Sequence, residues 1–544
     1  MTAKQTTAAE IDPGCLPAWQ TGDLPEPPPF TARGVLQAIG PGVIILGFSI
    51  GTGEWLLGPA VTARYGGALL WLATIAILLQ LVLNWECARY SLATGEPVFT
   101  AYMRCRPGPR FWGVFYFILD AGLLWPTFAA AVATLLASAC LSAITGHVGY
   151  LADAQNPRDH AVYLGFAYGM MVLCVVLVSF GGKVYNALQK AMYFMVVWIL
   201  AYLVFVALFL VSPQTWGQVL RGFVQIGHIP RDQELNWALI AGFAAFAGAG
   251  GLSNATIGNY LRDKGWGMGQ LVGAIPSAVG SQSITLSPVG ARFLPTPENL
   301  RRWAGWWKIV FVDQVVVWTL GCFLGMLLPA LLTVQFVPPG MDFTAAGNQM
   351  KLAAIQASAI AAAFPQAQVT FYVLTMLCGF WILFSTQLGV LDHFSRRWTD
   401  ILWTAGMGRD GTKGGGVKRI YYGIVLLYTV WGAICLHLKQ PVAMLLITSV
   451  TQGFAMAVCA LHTGYINRRF LPAALRPPLW REALLLVCAL FYVVTTSLAV
   501  APRVRSLLAP PTARACAPLR YHVTAPNVAG VTVASPTPSW NVPS

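Results

Sequence analysis

"GFSIGTGEWLLGPAV", residues 47–61, runs through one of the most apolar parts of the chain and sets Gly51-Thr52-Gly53-Glu54 at its centre. Its apolar flanks predict a membrane-spanning helix. Two glycines weaken that helix, and a helix interrupted in lipid frees carbonyls and amides that persist only where they line a cavity or a ligand. A carboxylate at the same depth is costly unless it is paired, protonated or bound to an ion. Break and acid together point to a place where something positive is held. Two plainer readings stay open: glycines that only let helices pack closely, and a Glu54 engaged in a structural ion pair or hydrogen bond.

The rest of the chain suits that context. Of 544 residues, 56% are hydrophobic and 10% charged, against roughly a quarter charged in soluble domains. Residues 1–34 are polar and Pro-rich, without the apolar core of a signal peptide, and are expected to form a cytoplasmic N-terminal segment. Eleven spans are expected near 35–62, 67–88, 112–143, 161–181, 188–212, 236–260, 304–334, 369–391, 419–437, 441–464 and 481–500. They make residues 35–500 a transmembrane domain, and residues 501–544, rich in Pro, Thr, Ala and Val, are expected to be a disordered tail. With the N-terminus inside, 24 of the 34 Lys and Arg residues fall on the inner side. The net charge of +14 therefore reads as membrane topology and not as a nucleic-acid footprint.

Between spans, residues 263–302 form a long loop, apolar enough to pack against the inner mouth, and residues 342–364 an Ala-rich outer helix. "GMGRDGTKGGG" (406–416) lacks phosphate-loop spacing and reads as a flexible linker. The eleven cysteines are scattered, without CxxC pairs, and read as small buried hydrophobes. The seven histidines show no HExxH spacing, and no Walker loop is present. An enzyme and a self-contained ATP-driven pump are both disfavoured, and no cofactor is expected.

A second glycine cluster, "GAGGLSN" (248–254), lies in span 6. Spans 1 and 6 open two five-span halves, and matched interruptions there mark a midplane site in inverted-repeat transporters. Asp120 in "FILDAGLLWP" and Asp313 in "VFVDQVVVW" are candidates for relaying protons or balancing the site, or else hold structural hydrogen bonds. Ser385, Thr386 and Gln387 in "LFSTQLG" either line a coupling-ion site or hydrogen-bond across helices. Asp392 and Asp400 in "GVLDHFSRRWTD" read as solvated or salt-bridged near the inner face.

Residues 39–72, "IGPGVIILGFSIGTGEWLLGPAVTARYGGALLWL", then "ARYSLATGEP" (88–97) and "GGKVYNALQKAMYFMVV" (181–197) resemble the Nramp family of divalent metal-ion transporters. The likeness is nearest to an Nramp-like subgroup with Gly-Glu in the break. It implies an all-α fold of five plus five inverted-repeat spans with helices 1 and 6 broken, an inward N-terminus, and proton-linked uptake of ions such as Mn²⁺ and Fe²⁺.

The family's DPGN falls on Gly51, Thr52, Gly53 and Glu54, so its aspartate is glycine here. Its MPH falls on Leu252, Ser253 and Asn254, a later histidine on Asn259, and a span-10 glutamine on Gln452 in "SVTQGF". The resemblance thus implies substrate binding by Glu54, Thr52, Gly51, Gly53, Asn254, Gly250, Leu252 and Gln452, with Glu54, Asn254 and Gln452 as metal ligands. Coupling or proton relay falls to Asp120, Asp313, Ser385, Thr386 and Asn259. An all-oxygen donor set suits hard cations such as Mg²⁺, Ca²⁺ and Mn²⁺. The expected function is proton-coupled secondary transport of a divalent cation across the bilayer. The alternative is cation-coupled symport of a small organic solute on the same fold. Oligomeric state is not encoded in any motif.

Overall fold

The computed structural model describes residues 11–508 apart from 125–126, 153–155, 181, 231–232, 280–283, 342–347, 407–414 and 438–441. Of the expected disordered tail, residues 501–508 are helical instead, and the rest, with most of the 406–416 linker, lies outside the described residues. The chain divides into two units, Met1–Val500 and Ala501–Ser544, and the first holds the helical bundle.

Among the described residues nine helices are long and apolar enough to cross a membrane. They are span 1 (Pro41–Tyr65), span 2 (Trp71–Thr94), span 3 (Pro109–Thr145), span 4 (Asp159–Ser179), span 5 (Val184–Leu210), span 6 (Trp237–Lys264), span 7 (Pro297–Phe336), span 8 (Gln368–Thr404) and span 11 (Leu479–Ala501). The remaining two expected spans are helices Gly415–Cys435 (span 9) and Val442–Phe470 (span 10). Spans 1 and 6 are almost wholly buried, whereas span 5 turns Phe194, Val197, Leu208 and Phe209 outward and span 9 turns Leu426, Leu427 and Val430 outward. Helices apolar on their outer face as well as their inner one belong in hydrocarbon.

Span 6 is broken as expected. Its first helix, Trp237–Phe246, ends at Ala247, the chain turns through Gly248 (φ +95°) and Gly250 (φ +70°), and a single 3₁₀ segment, Gly251–Thr256, leads into Ile257–Lys264. Glycine is what makes those positive φ values accessible. Span 1 departs from the expected break. It stays helical throughout but widens to π geometry over Ile50–Leu57, where the Gly58 N–H donates to the Gly53 carbonyl. Such bulges are rare and concentrate at functional sites. A second π segment, Val312–Thr319, interrupts span 7, and a 3₁₀ turn, Ala121–Leu124, interrupts span 3.

Gly51 and Gly53 explain the local geometry of span 1 differently from a simple unwinding. A Cβ on Gly51 would overlap Thr386 Oγ1 and lie 2.7 Å from the Ile382 carbonyl oxygen of span 8. A Cβ on Gly53 would overlap the Phe246 carbonyl in span 6. The two glycines let span 1 touch two neighbours at backbone distance. For both, close packing is the correct reading.

The N-terminal segment is docked. Gln20–Thr21 pairs in parallel with Ala291–Arg292 of the 263–302 loop, and a buried Glu96–Arg104 pair anchors it: Trp19 Nε1 donates to Glu96, and Arg104 donates to the Pro13 and Pro17 carbonyls. The loop therefore packs on this end of the bundle, as its apolar composition suggests. At the other end the Ala-rich helix is seen over Asn348–Ala362.

Candidate functional site

The broken backbone of span 6 needs partners, because stranded amides and carbonyls are costly in a dry interior. Three side chains from three other spans supply them. Glu54 of span 1 accepts from the Gly248 N–H at 3.1 Å. Gln80 of span 2 accepts from the Ala249 and Gly250 N–H groups at 3.0 and 3.3 Å and donates to the Ala247 carbonyl at 2.6 Å. Gln452 of span 10 accepts from the Leu252 N–H at 3.4 Å and donates to the Leu119 carbonyl. The Gly250 carbonyl, expected to be free for an ion, accepts from the Ser253 N–H instead.

Asn84, one turn along span 2 from Gln80, carries the network further. Asn254 donates to Asn84, Asn84 donates to Gln314, and Gln314 donates to Asp313. Asp313 accepts in addition from the Gly40 and Gly42 N–H groups at 3.1 and 2.7 Å, so it caps the start of span 1 across the bundle. Asp313 thus has a structural duty, because a helix N-terminus presents unpaired amides that a carboxylate satisfies.

Asp120 is likewise engaged. Arg397 of span 8 holds it through two nitrogens, Trp398 Nε1 donates to it, and the same arginine reaches the Leu252 carbonyl and Thr256 Oγ1 beside the break. Asp120 thus sits in a closed ion pair. Asn259 donates to Asp400, which pairs with Arg262, while Arg396 pairs with Asp263 and Asp392. Asp392 and Asp400 are salt-bridged, as read from sequence, but buried and not solvated. Ser385 donates to the Gly47 or Ile382 carbonyl and Thr386 to the Phe48 or Ile382 carbonyl. They satisfy span-1 carbonyls at the start of the π segment, which is the cross-helix reading of that pair.

What remains without a hydrogen-bond partner among the described residues is specific. Around the break these are Glu54 Oε2, Asn254 Oδ1 and Ser253 Oγ, all in buried side chains. Gln387 Oε1, in span 8, also has none. Thr52 lies within the π segment. Among the described residues no group of three or more His, Cys, Asp or Glu side chains is placed to hold a metal ion. The donor set around the break is one carboxylate with neutral oxygens.

Sequence reasoning missed Gln80 and Asn84. The signal was present: two amides four residues apart, hence on one face, inside the otherwise apolar "LLQLVLN".

No protein-family model and no curated protein matches this chain. Among solved structures it is similar to the manganese transporter of Eremococcus coleocola. In complex with an aromatic bis-isothiourea compound, that protein matches at 13% identity and TM-score 0.53, over 93% of both chains. Its histidine-to-alanine variant matches at 13% identity and TM-score 0.56, over 90% of this chain and 91% of that one. The fold is therefore the Nramp-like, five-plus-five inverted-repeat fold seen in that transporter, as the resemblance implied.

Proposed function

We propose that the protein is a secondary transporter that carries a divalent metal cation by alternating access. One observation carries this reading: around the span-6 break the unpartnered side-chain atoms are oxygens, while five backbone donors there are already used. Gly248, Ala249, Gly250, Leu252 and Ser253 all give their N–H groups to protein oxygens. An anionic solute would need such donors. A cation needs acceptors, and Glu54 Oε2 and Asn254 Oδ1 are acceptors only.

Glu54 is the charge-compensating ligand, with Asn254, Ser253, Gln452 and Thr52 as neutral oxygen donors. Since Asp120 and Asp313 are committed to Arg397 and to the span-1 cap, proton coupling falls to Glu54 itself: the carboxylate holds either a proton or the metal. The chain would sit in the cell membrane with its N-terminus cytoplasmic, as its basic residues are distributed. The manganese transporter of the same fold supports a metal substrate.

The experiment is uptake and binding with purified protein in proteoliposomes, using Mn²⁺, Mg²⁺, Ca²⁺ and a panel of amino acids and amines. Glu54→Gln is expected to abolish cation binding and uptake. Cation uptake by that variant at the wild-type rate would refute the reading. Saturable binding of an organic solute without any divalent cation effect would favour symport of that solute.

A further inference from the structure

We propose that His393 of span 8 is a second, nitrogen-donating station for the transported cation, between the span-6 break and the end of the protein that carries the N-terminus. This rests on the cation reading of the span-6 site.

The imidazole is completely buried, and neither ring nitrogen has a hydrogen-bond partner among the described residues. A neutral imidazole carries one N–H and one lone pair, so a donor and an acceptor are both left unmet in a dry interior. The ring lies between an aromatic of the π-widened span 1 and one of the broken span 6: Phe48 at 4.7 Å and Tyr260 at 5.4 Å between ring centres. It therefore occupies the seam where spans 1, 6 and 8 meet. His393 lies two turns along span 8 from Thr386, about 10 Å at the usual helical rise, and Thr386 bonds the Phe48 carbonyl at the start of the π segment.

The charged neighbours in this seam are committed to one another. Asp392 accepts from Arg396, Tyr260 and Tyr421, Arg396 also pairs with Asp263, and Arg397 pairs with Asp120. The nitrogen lone pair of His393 is the uncommitted donor they leave. A buried histidine that no protein group among the described residues satisfies, set beside spans 1 and 6, is placed to meet a partner that arrives.

The chemistry of that partner is set by the donor. Oxygen sites around the break accept hard cations with little discrimination, whereas imidazole favours softer transition metals such as Co²⁺ and Zn²⁺ over Mg²⁺ and Ca²⁺. His393 would supply the transition-metal preference that the sequence of the break lacks.

The test compares Co²⁺ and Mg²⁺ in proteoliposomes of the full-length protein. His393→Phe keeps the ring packing and removes both nitrogens, and His393→Gln keeps polar groups. Either is expected to lower the ratio of initial Co²⁺ to Mg²⁺ uptake by about tenfold, the scale on which losing a metal-site group acts, with equilibrium Mg²⁺ binding unchanged. A purely structural histidine would alter both ions alike. A Co²⁺ to Mg²⁺ ratio at the wild-type value in whichever variant folds would overturn the proposal. Glu54→Gln separates the two levels: normal uptake in that variant defeats the cation reading, while an unchanged ratio in the His393 variants defeats only the second station. Wild-type protein that binds neither ion defeats both.

Discussion

Replacing Gln80 by leucine tests whether span 2 holds the break of span 6 in shape. Leucine fills a similar volume, so the change removes mainly hydrogen bonds. Four are lost: from the Ala249 and Gly250 N–H groups to Oε1, and from Nε2 to the Ala247 carbonyl and Tyr492 Oη, the last at 2.7 Å. Two amides and one carbonyl of the break are then stranded. A buried group left unpaired costs about 1–3 kcal/mol, while interhelical hydrogen bonds measured in a membrane average about 0.6 kcal/mol. Four bonds at the lower value give about 2.4 kcal/mol, and three stranded groups at the higher value about 9 kcal/mol. The Gly250 contact, at 3.3 Å, is the weakest and pulls the figure down. The expected loss is about 3–5 kcal/mol.

Tyr492→Phe is the internal control. It removes one of these four bonds and strands no backbone group, so its cost stays below about 1 kcal/mol. Unfolding in mixed micelles of dodecyl sulfate, followed by circular dichroism, gives both numbers on one scale. If Gln80→Leu costs no more than Tyr492→Phe, the break is held by something other than this side chain.

The same contacts dictate three further outcomes. Gly51→Ala and Gly51→Asp should both fail to yield folded protein, because the new Cβ meets Thr386 and the Ile382 backbone. Size-exclusion chromatography reads this, and a monodisperse Gly51→Asp variant would refute the packing. Asp313→Ala should destabilise span 1 by about 1–2 kcal/mol through loss of its cap, with Asp313→Asn milder and still proton-coupled. Loss of proton coupling in a folded Asp313→Asn variant would instead restore that acid as a relay. Arg397→Leu should cost about 3–5 kcal/mol by leaving Asp120 charged and buried without its partner, and Asp120→Leu combined with Arg397→Leu should recover part of that in the same unfolding assay.

Much of this protein could be read along the chain. Membrane spans are legible from hydropathy alone, because in hydrocarbon a helix must satisfy its own backbone, and composition over some twenty residues reveals it. The glycine run at 248–254 marked a true break, since positive φ is written directly into glycine. Glu54 stood out because an acid at membrane depth has few cheap explanations.

The partners of these residues were decided only when the helices came together. Asp120, Asp313 and Glu54 look alike in sequence, each one acid in an apolar helix. Arg397, 277 residues away, closes over the first, the amides at the start of span 1 take up the second, and Glu54 keeps one oxygen unpartnered. Glycine shows the same split: Gly51 and Gly53 resemble Gly248 and Gly250 in sequence but serve close approach where the others serve a turn. Local propensity fixes what a residue can do to its own helix. Which charge is cancelled and which is left without a partner depends on contacts between residues far apart in the chain, and no local rule encodes those.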